Sequence, residues 1–243
     1  MITGCDLRHG KQCSKLRTAG SRWLWFIHAV CLITKLERIR TMSPRPYNME
    51  KRRAVASETR TRILEAAREL LASESETDLS MEAIARRAGV SRLTLYYQVN
   101  SRTGLLEALY DHLANRGNMR RMPEVFLEPD PAAAIDKLVS IFVGFWASDP
   151  VALRRLRAMA VLDPEIAKGI QARDVRRAHI AGQILKRMVT AGKKKFTEQQ
   201  LHAARTVLSL LTGFATYDAL ASAGHSQKET IAIIARLARC AVN

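Results

Sequence analysis

The chain has 243 residues, 47% of them apolar, four cysteines, a formal net charge of +16 and a pI near 10.3. That length allows one large domain or two small ones with a sizeable core. A disulfide scaffold is excluded: Cys5, Cys13 and Cys31 all lie within the first 41 residues, only Cys240 sits in the body, and no Cys/His spacing suits zinc. The positive charge favours a polyanionic partner, but it is unevenly spread, at +6 over residues 1–41, +2 over 42–118 and +8 over 119–243.

Residues 1–41 differ from the rest. Basic, polar sequence leads into an eleven-residue apolar run from Trp23 to Ile33. This is too short for a membrane span, which needs about 20 residues. A signal peptide would fit the basic start, but no Ala-x-Ala-like site follows. A third reading fits better: the true start lies downstream at Met42 or Met49 and this stretch is not native coding sequence. Residues 1–48 are accordingly set apart as an extension, either a disordered or amphipathic arm or a mis-assigned start. Residues 42–56, with two prolines and Lys51-Arg52-Arg53, read as a flexible basic arm, either solvated or lying along a duplex.

Helix periodicity begins at about Ser57 and runs to Ser73, with Ile63, Leu64, Ala67, Leu70 and Leu71 as its apolar stripe. Glu74–Asp78 is a polar loop. Ser80 then caps a short helix in which Ile84, Ala85 and Ala88 share a face. Gly89 supplies the left-handed residue that ends it. Ser91 caps a second short helix that turns Leu95 inward and carries Arg92, Thr94, Tyr96 and Tyr97. Helix, Gly turn and donor-bearing helix is the helix-turn-helix plan, whose second helix fits the DNA major groove. A purely structural corner would look similar; the outward guanidinium, hydroxyl and phenols are what favour phosphate and base-edge contacts. Bases cluster at Arg45, Lys51, Arg52, Arg53, Arg60, Arg62, Arg86, Arg87, Arg92 and Arg102, and acids between Glu65 and Glu82, so one face is expected to be basic and one acidic. Asn100-Ser101 caps a fourth helix through Leu105, Leu106, Leu109 and Leu113, with Arg102 at an N-terminus suited to phosphate.

The pattern Ala-Gly-Val-Ser-Arg-x-Thr-Leu-Tyr-Tyr-x-Val-x-Ser-Arg-x-x-Leu-Leu-x-Ala-Leu over residues 88–109 resembles the TetR family of bacterial transcription regulators. The segments Thr61–Ala67 and Ile84–Arg87 belong to the same pattern, so the resemblance covers roughly 55 residues. Departures are Gln98 where the family often has His, Arg102 where it has Lys, and Leu93 where many members have Gly or Pro. The resemblance implies that Ser80, Tyr96, Gln98 and Arg102 hold the phosphate backbone and that Arg92, Leu93, Thr94 and Tyr97 face base edges, with Leu95 and Val99 in the core. An arginine such as Arg92 can also pair bidentately with guanine.

Residues 115–129 read as a connection. Asp130-Pro131, Asp149-Pro150 and Asp163-Pro164 each pair an N-cap with a first-turn proline and so start three helices, the third running to about Ala191. Gly192 and Lys193–Lys195 mark a loop. Two final helices are expected at about Thr197–Ser222 and Ser226–Ala241, rich in small and aliphatic residues. The resemblance implies that they form a dimer bundle of two helices from each subunit, and a dimer suits a palindromic double-stranded DNA operator; an intrachain core is the alternative.

In the middle helices Phe142, Phe145, Trp146, Met159, Leu162, His179, Phe214 and Tyr217 recur at helical spacing. Such a set is either core or the wall of a pocket. The family's apolar cavity points to a pocket for an unknown small apolar or amphipathic ligand, with His179 and Tyr217 as its polar groups. No phosphate-binding Gly loop, nucleophile elbow or His-Glu-x-x-His is present, and the histidines are scattered at 9, 28, 112, 179, 202 and 225. No enzyme, cofactor, metal site or membrane partner is expected. The reading is an all-α, cytoplasmic, homodimeric regulator with a helix-turn-helix domain at 49–116 and a helical ligand-binding and dimerisation domain at 117–243, most simply a repressor released by its ligand. The alternative is a helical interaction or ligand-binding protein that uses the corner only structurally.

Overall fold

The computed structural model describes residues 49–73, 79–192 and 195–242, and every regular element among them is helical. The expectations for the extension at 1–48, for the Glu74–Asp78 loop and for Lys193 and Lys194 lie outside the described residues.

The first helix, α1, spans Met49–Ala72, eight residues longer at its start than the periodicity predicts. Glu50 in its first turn complements the positive helix end, and no proline or glycine interrupts it. The residues expected to form the distal part of a flexible arm therefore continue the helix.

Three short elements follow: α2 (Met81–Arg87), α3 (Arg92–Val99) and α4 (Arg102–Arg116). Each start is capped by serine. Ser80 Oγ accepts from the Ala83 N–H at 3.2 Å, Ser91 Oγ from Thr94 at 3.0 Å and Ser101 Oγ from Gly104 at 3.0 Å. Each bond pairs a donor that the helix itself leaves open. Gly89 ends α2 at φ +63°, where the Val90 N–H reaches back to the Ala85 carbonyl at 3.0 Å. Asn100 makes the corresponding left-handed step, φ 63°, between α3 and α4. Ile63, Ile84, Leu95, Leu105 and Leu109 are fully or almost fully buried and bind the four helices together.

The expected connection at 115–129 contains a 3-10 turn (Met119–Arg121) and a short helix, α5 (Pro123–Leu127). Three helices then start as read, α6 (Pro131–Ser148), α7 (Pro150–Met159) and α8 (Pro164–Thr190). Their Asp caps accept from Ala133 at 3.1 Å, Ala152 at 3.4 Å and both Glu165 and Ile166 at 3.0 and 3.2 Å.

The single helix expected over Thr197–Ser222 is instead two, α9 (Glu198–Leu211) and α10 (Phe214–Ser222). The break falls at Thr212-Gly213. Thr212 turns its hydroxyl onto the Leu208 carbonyl at 2.7 Å, and its own carbonyl accepts from Trp146 Nε1 at 3.0 Å. Gly213 takes the extended N-cap conformation. A side chain from α6 thus replaces the hydrogen bond that a continuous helix would have made. The last helix, α11, spans Gln227–Val242.

The bundle centre is α6, packed on α8 and α11, with α9 bridging α8 and α11. Among the described residues α6 is the one helix long and apolar enough to cross a membrane. Here Ile135, Leu138, Val139 and Trp146 bury it in the protein core. The four-helix head meets the bundle chiefly where α4 packs on α8 and α6.

Candidate nucleic-acid interface and interior cavity

α3 is divided sharply by its surroundings. Leu95 and Val99 are buried, while Leu93 is 81% and Tyr97 83% exposed, with Arg92 and Tyr96 beside them. Packing against α2 and α4 uses the inner face, so hydrophobic burial does not account for the large apolar and aromatic groups held in water. Arg92 and Arg86 are exposed and have no carboxylate partner among the described residues. Thr94, half-buried, shares a 2.8 Å hydroxyl hydrogen bond with Ser91. The Gln98 carbonyl accepts from the Arg60 guanidinium, which ties the end of α3 to α1 and leaves the Gln98 amide uncommitted to that bond. Ser80 spends one lone pair on its cap and keeps an O–H to donate.

Arg102 is placed differently from what the family pattern implies. Its guanidinium is bound by the carboxylates of Asp163 and Glu165, at the start of α8. Thr103 Oγ1 also donates to Glu165 at 2.7 Å. The Arg102 guanidinium holds the Asp163 carboxyl below its ordinary range, and Thr103 and then Arg102 do the same for Glu165. A residue expected to face phosphate is in this state the pin between the head and the bundle. Arg87 is similarly occupied, by Glu69 at 2.9 Å. The expected segregation into a basic and an acidic face is therefore partly cancelled by direct pairing.

The junction carries further contacts. Tyr110 donates to the Ile166 carbonyl at 3.0 Å, and the Arg173 guanidinium lies 3.9 Å over its ring. Gly169 lets α8 come this close, since a Cβ there would sit 2.6 Å from the Tyr110 ring. Burial raises the Tyr110 phenol from 10.0 to about 12.

Behind this junction, α4, α6, α7 and α8 enclose a cavity of about 250 Å³. Phe142, Phe145 and Trp146 line it. Met159, His179, Phe214 and Tyr217 are not on its lining. Phe214 packs edge-on against Trp146 at 5.5 Å and leads on to Tyr217 at 6.1 Å, both buried on the bundle side. His179 is exposed on α8, where it hydrogen-bonds Gln183 at 3.1 Å. Leu162 is 90% exposed in the turn before α8. The polar groups on the lining are ones the sequence reading missed: Tyr110, Asp111, Arg157, Arg173, Asp174, Arg176 and Arg177. A signal was present, because Arg173 and Arg177 continue the stripe Ile166, Ile170, Ile180 and Ile184 at helical spacing.

A capped helix pair across a left-handed glycine, with an exposed polar-aromatic face on the second helix, defines a helix-turn-helix protein. Residues 63–109 match the family model described as bacterial regulatory proteins, tetR family. The likeness to that family lies in this domain. It is 43% identical over 63 residues to the HTH-type transcriptional regulator SrpR of Pseudomonas putida, an alignment covering 26% of this chain and 28% of that protein. It is 32% identical over 93 residues to the HTH-type transcriptional regulator EthR of Mycolicibacterium smegmatis, covering 38% and 43%. These matches thus span less than half the length of the curated relatives. In overall fold it is similar to a TetR transcription regulator from Haloarcula marismortui, with TM-score 0.57 and 17% identity over 76% of this chain and 97% of that one. A TetR-like transcriptional regulator from Rhodococcus sp. RHA1 gives 0.54 and 20% over 74% and 93%. At such identities these two speak for the shared fold.

Proposed function

We propose that the chain is a DNA-binding transcriptional regulator, working as a homodimer on a palindromic operator in the bacterial cytoplasm and released as a repressor by a small ligand. The observation that carries the reading is the outer face of α3, where Arg92, Leu93, Tyr96 and Tyr97 stand exposed on a helix whose other face is fully used for packing. Residues 49–116 are the DNA-binding part and 117–243 the ligand-binding and dimerisation part. Arg92, Leu93, Thr94 and Tyr97 meet base edges, and Ser80, Tyr96 and Gln98 meet phosphate. Arg102 joins the phosphate set only when it leaves Asp163 and Glu165.

The outer faces of α9 and α11 support the dimer. Ala203, Val207 and Leu210 recur along α9, and Leu237 stands on α11, all exposed. A second copy would cover them, and two-fold symmetry would set the two α3 helices about 34–36 Å apart, one turn of DNA. A ligand in the cavity would act by preferring a dimer with another spacing, and only to the extent of its differential affinity. A gel shift at low salt with the chain's own upstream region, paired with sedimentation of the free protein, tests the reading. A dimer that shifts one palindromic fragment is expected. A monomer that binds no fragment would leave the corner as a structural feature of a helical interaction protein.

A further inference from the structure

We infer that the cavity behind the α4–α8 junction takes a small amphipathic monoanion, a carboxylate on an aromatic or compact aliphatic body, with Arg157 as its anchor. This rests on the reading of that cavity as the ligand site. Its volume, about 250 Å³, lies at the lower end of the range for small-molecule sites, which runs from about 300 Å³ upward. The wall is apolar: Phe142, Phe145 and Trp146 from α6 face Leu153 and Leu156 from α7.

Charge on the lining is unbalanced. Four arginines, 157, 173, 176 and 177, meet two carboxylates, Asp111 and Asp174. Arg173 is matched outside the cavity by Glu107 at 2.9 Å. Arg157 and Arg177 share the one carboxylate of Asp174, at 3.3 and 2.7 Å. That trio carries one uncompensated positive charge beside an aromatic wall.

Arg177 holds the shorter bond to Asp174 and also donates to the Ser209 carbonyl at 3.3 Å. Arg157 keeps the longer bond, and its guanidinium lies over the rings of Trp146 at 5.3 Å and Phe214 at 5.4 Å. Cation–π attraction to both rings holds the guanidinium in place, and only its Nη2 is bonded to Asp174, which leaves the other N–H groups to donate. A ligand carboxylate can take two of them in a bidentate pair while its body lies on the aromatic wall. A cation would meet guanidiniums first, because Asp174 is already held from two sides.

Calorimetric titration of the full chain with three matched probes tests this: naphthalene-2-carboxylate, its neutral carboxamide, and 2-naphthylmethylammonium. The carboxylate is expected to bind about tenfold more tightly than the amide, as one charge-assisted pair allows, and the ammonium least tightly. Arg157→Gln should bring the carboxylate-to-amide ratio to about one, with Arg157→Lys in between and circular dichroism reporting the fold of each variant. Equal binding of acid and amide, a preference for the ammonium, or a tenfold preference that survives Arg157→Gln would each overturn the anionic assignment and leave the cavity as a ligand site. Failure of all three probes to bind would overturn the cavity reading itself, and the assignment with it.

Discussion

Arg102 and Asp163 are 61 residues apart in sequence and form an ion pair in space. Arg102 opens α4, the last helix of the head, and Asp163 caps α8, the longest helix of the bundle. The guanidinium cannot serve this carboxylate and a DNA phosphate with the same N–H groups. Under the proposed function, α8 and DNA would therefore compete for one side chain.

Asp163→Asn separates the two duties of the aspartate. Asparagine still caps α8 through its side-chain oxygen, but one of the two charges that retain Arg102 is gone and Glu165 is left as its carboxylate partner. The variant is expected to bind DNA several-fold more tightly than the wild type at low salt. The slope of log affinity against log salt should steepen by about one phosphate contact. Fluorescence anisotropy at a series of salt concentrations checks both quantities. Weaker binding with an unchanged slope would show that the pair serves only to position the head.

Tyr110 ties stability to alkaline pH. Its folded value is raised to about 12 from an ordinary 10.0 because burial disfavours the phenolate. Between those values the unfolded chain releases a proton that the folded chain keeps, so stability is complete below pH 10 and falls as pH rises toward 12. The difference between 10.0 and about 12 corresponds to roughly 2–3 kcal/mol. Thermal melts from pH 9 to 12 should show this loss, and Tyr110→Phe should flatten that segment of the profile. The same variant loses the hydroxyl bond to Ile166, which costs about 1 kcal/mol at neutral pH.

Gly169→Ala probes the closeness of α4 and α8. The added methyl would lie 2.6 Å from a ring carbon of Tyr110 and 3.1 Å from its hydroxyl. The ring is buried and held under Arg173, so the helices must part. A destabilisation of about 1–3 kcal/mol is expected, against the small gain that alanine normally brings to a helix interior. Denaturant unfolding measures it; a neutral or stabilising result would mean that the junction yields easily.

Contacts within a few residues are visible in the sequence, and those between distant helices are not. The starts of α2, α3 and α4 are legible because Ser80, Ser91 and Ser101 act within three residues of themselves. The Asp-Pro starts at 130, 149 and 163 are legible for the same reason, as is Gly89, whose conformation depends on its own backbone. The partner of Arg102 is not, since surface charge along a chain does not say which carboxylate folding brings to it. The break before α10 depends on Trp146, 66 residues away, reaching the Thr212 carbonyl. The cavity's arginines are not legible in this way, since charged residues on a long helix ordinarily face water. Arg177 is buried because Asp174, the Ser209 carbonyl and the Phe142 ring together receive it, and two of those three come from other helices.

In the proposed function the exposed face of α3 reads DNA, and footprinting of wild type and Arg92→Ala on the chain's own upstream region measures this. One protected site with two half-sites about 10–10.5 base pairs apart, or a multiple of that spacing, is expected. Arg92→Ala should lose about 1–3 kcal/mol of discrimination at a single symmetric base position while leaving the others intact. No protected site at low salt, or equal protection of every fragment by both proteins, would contradict that reading.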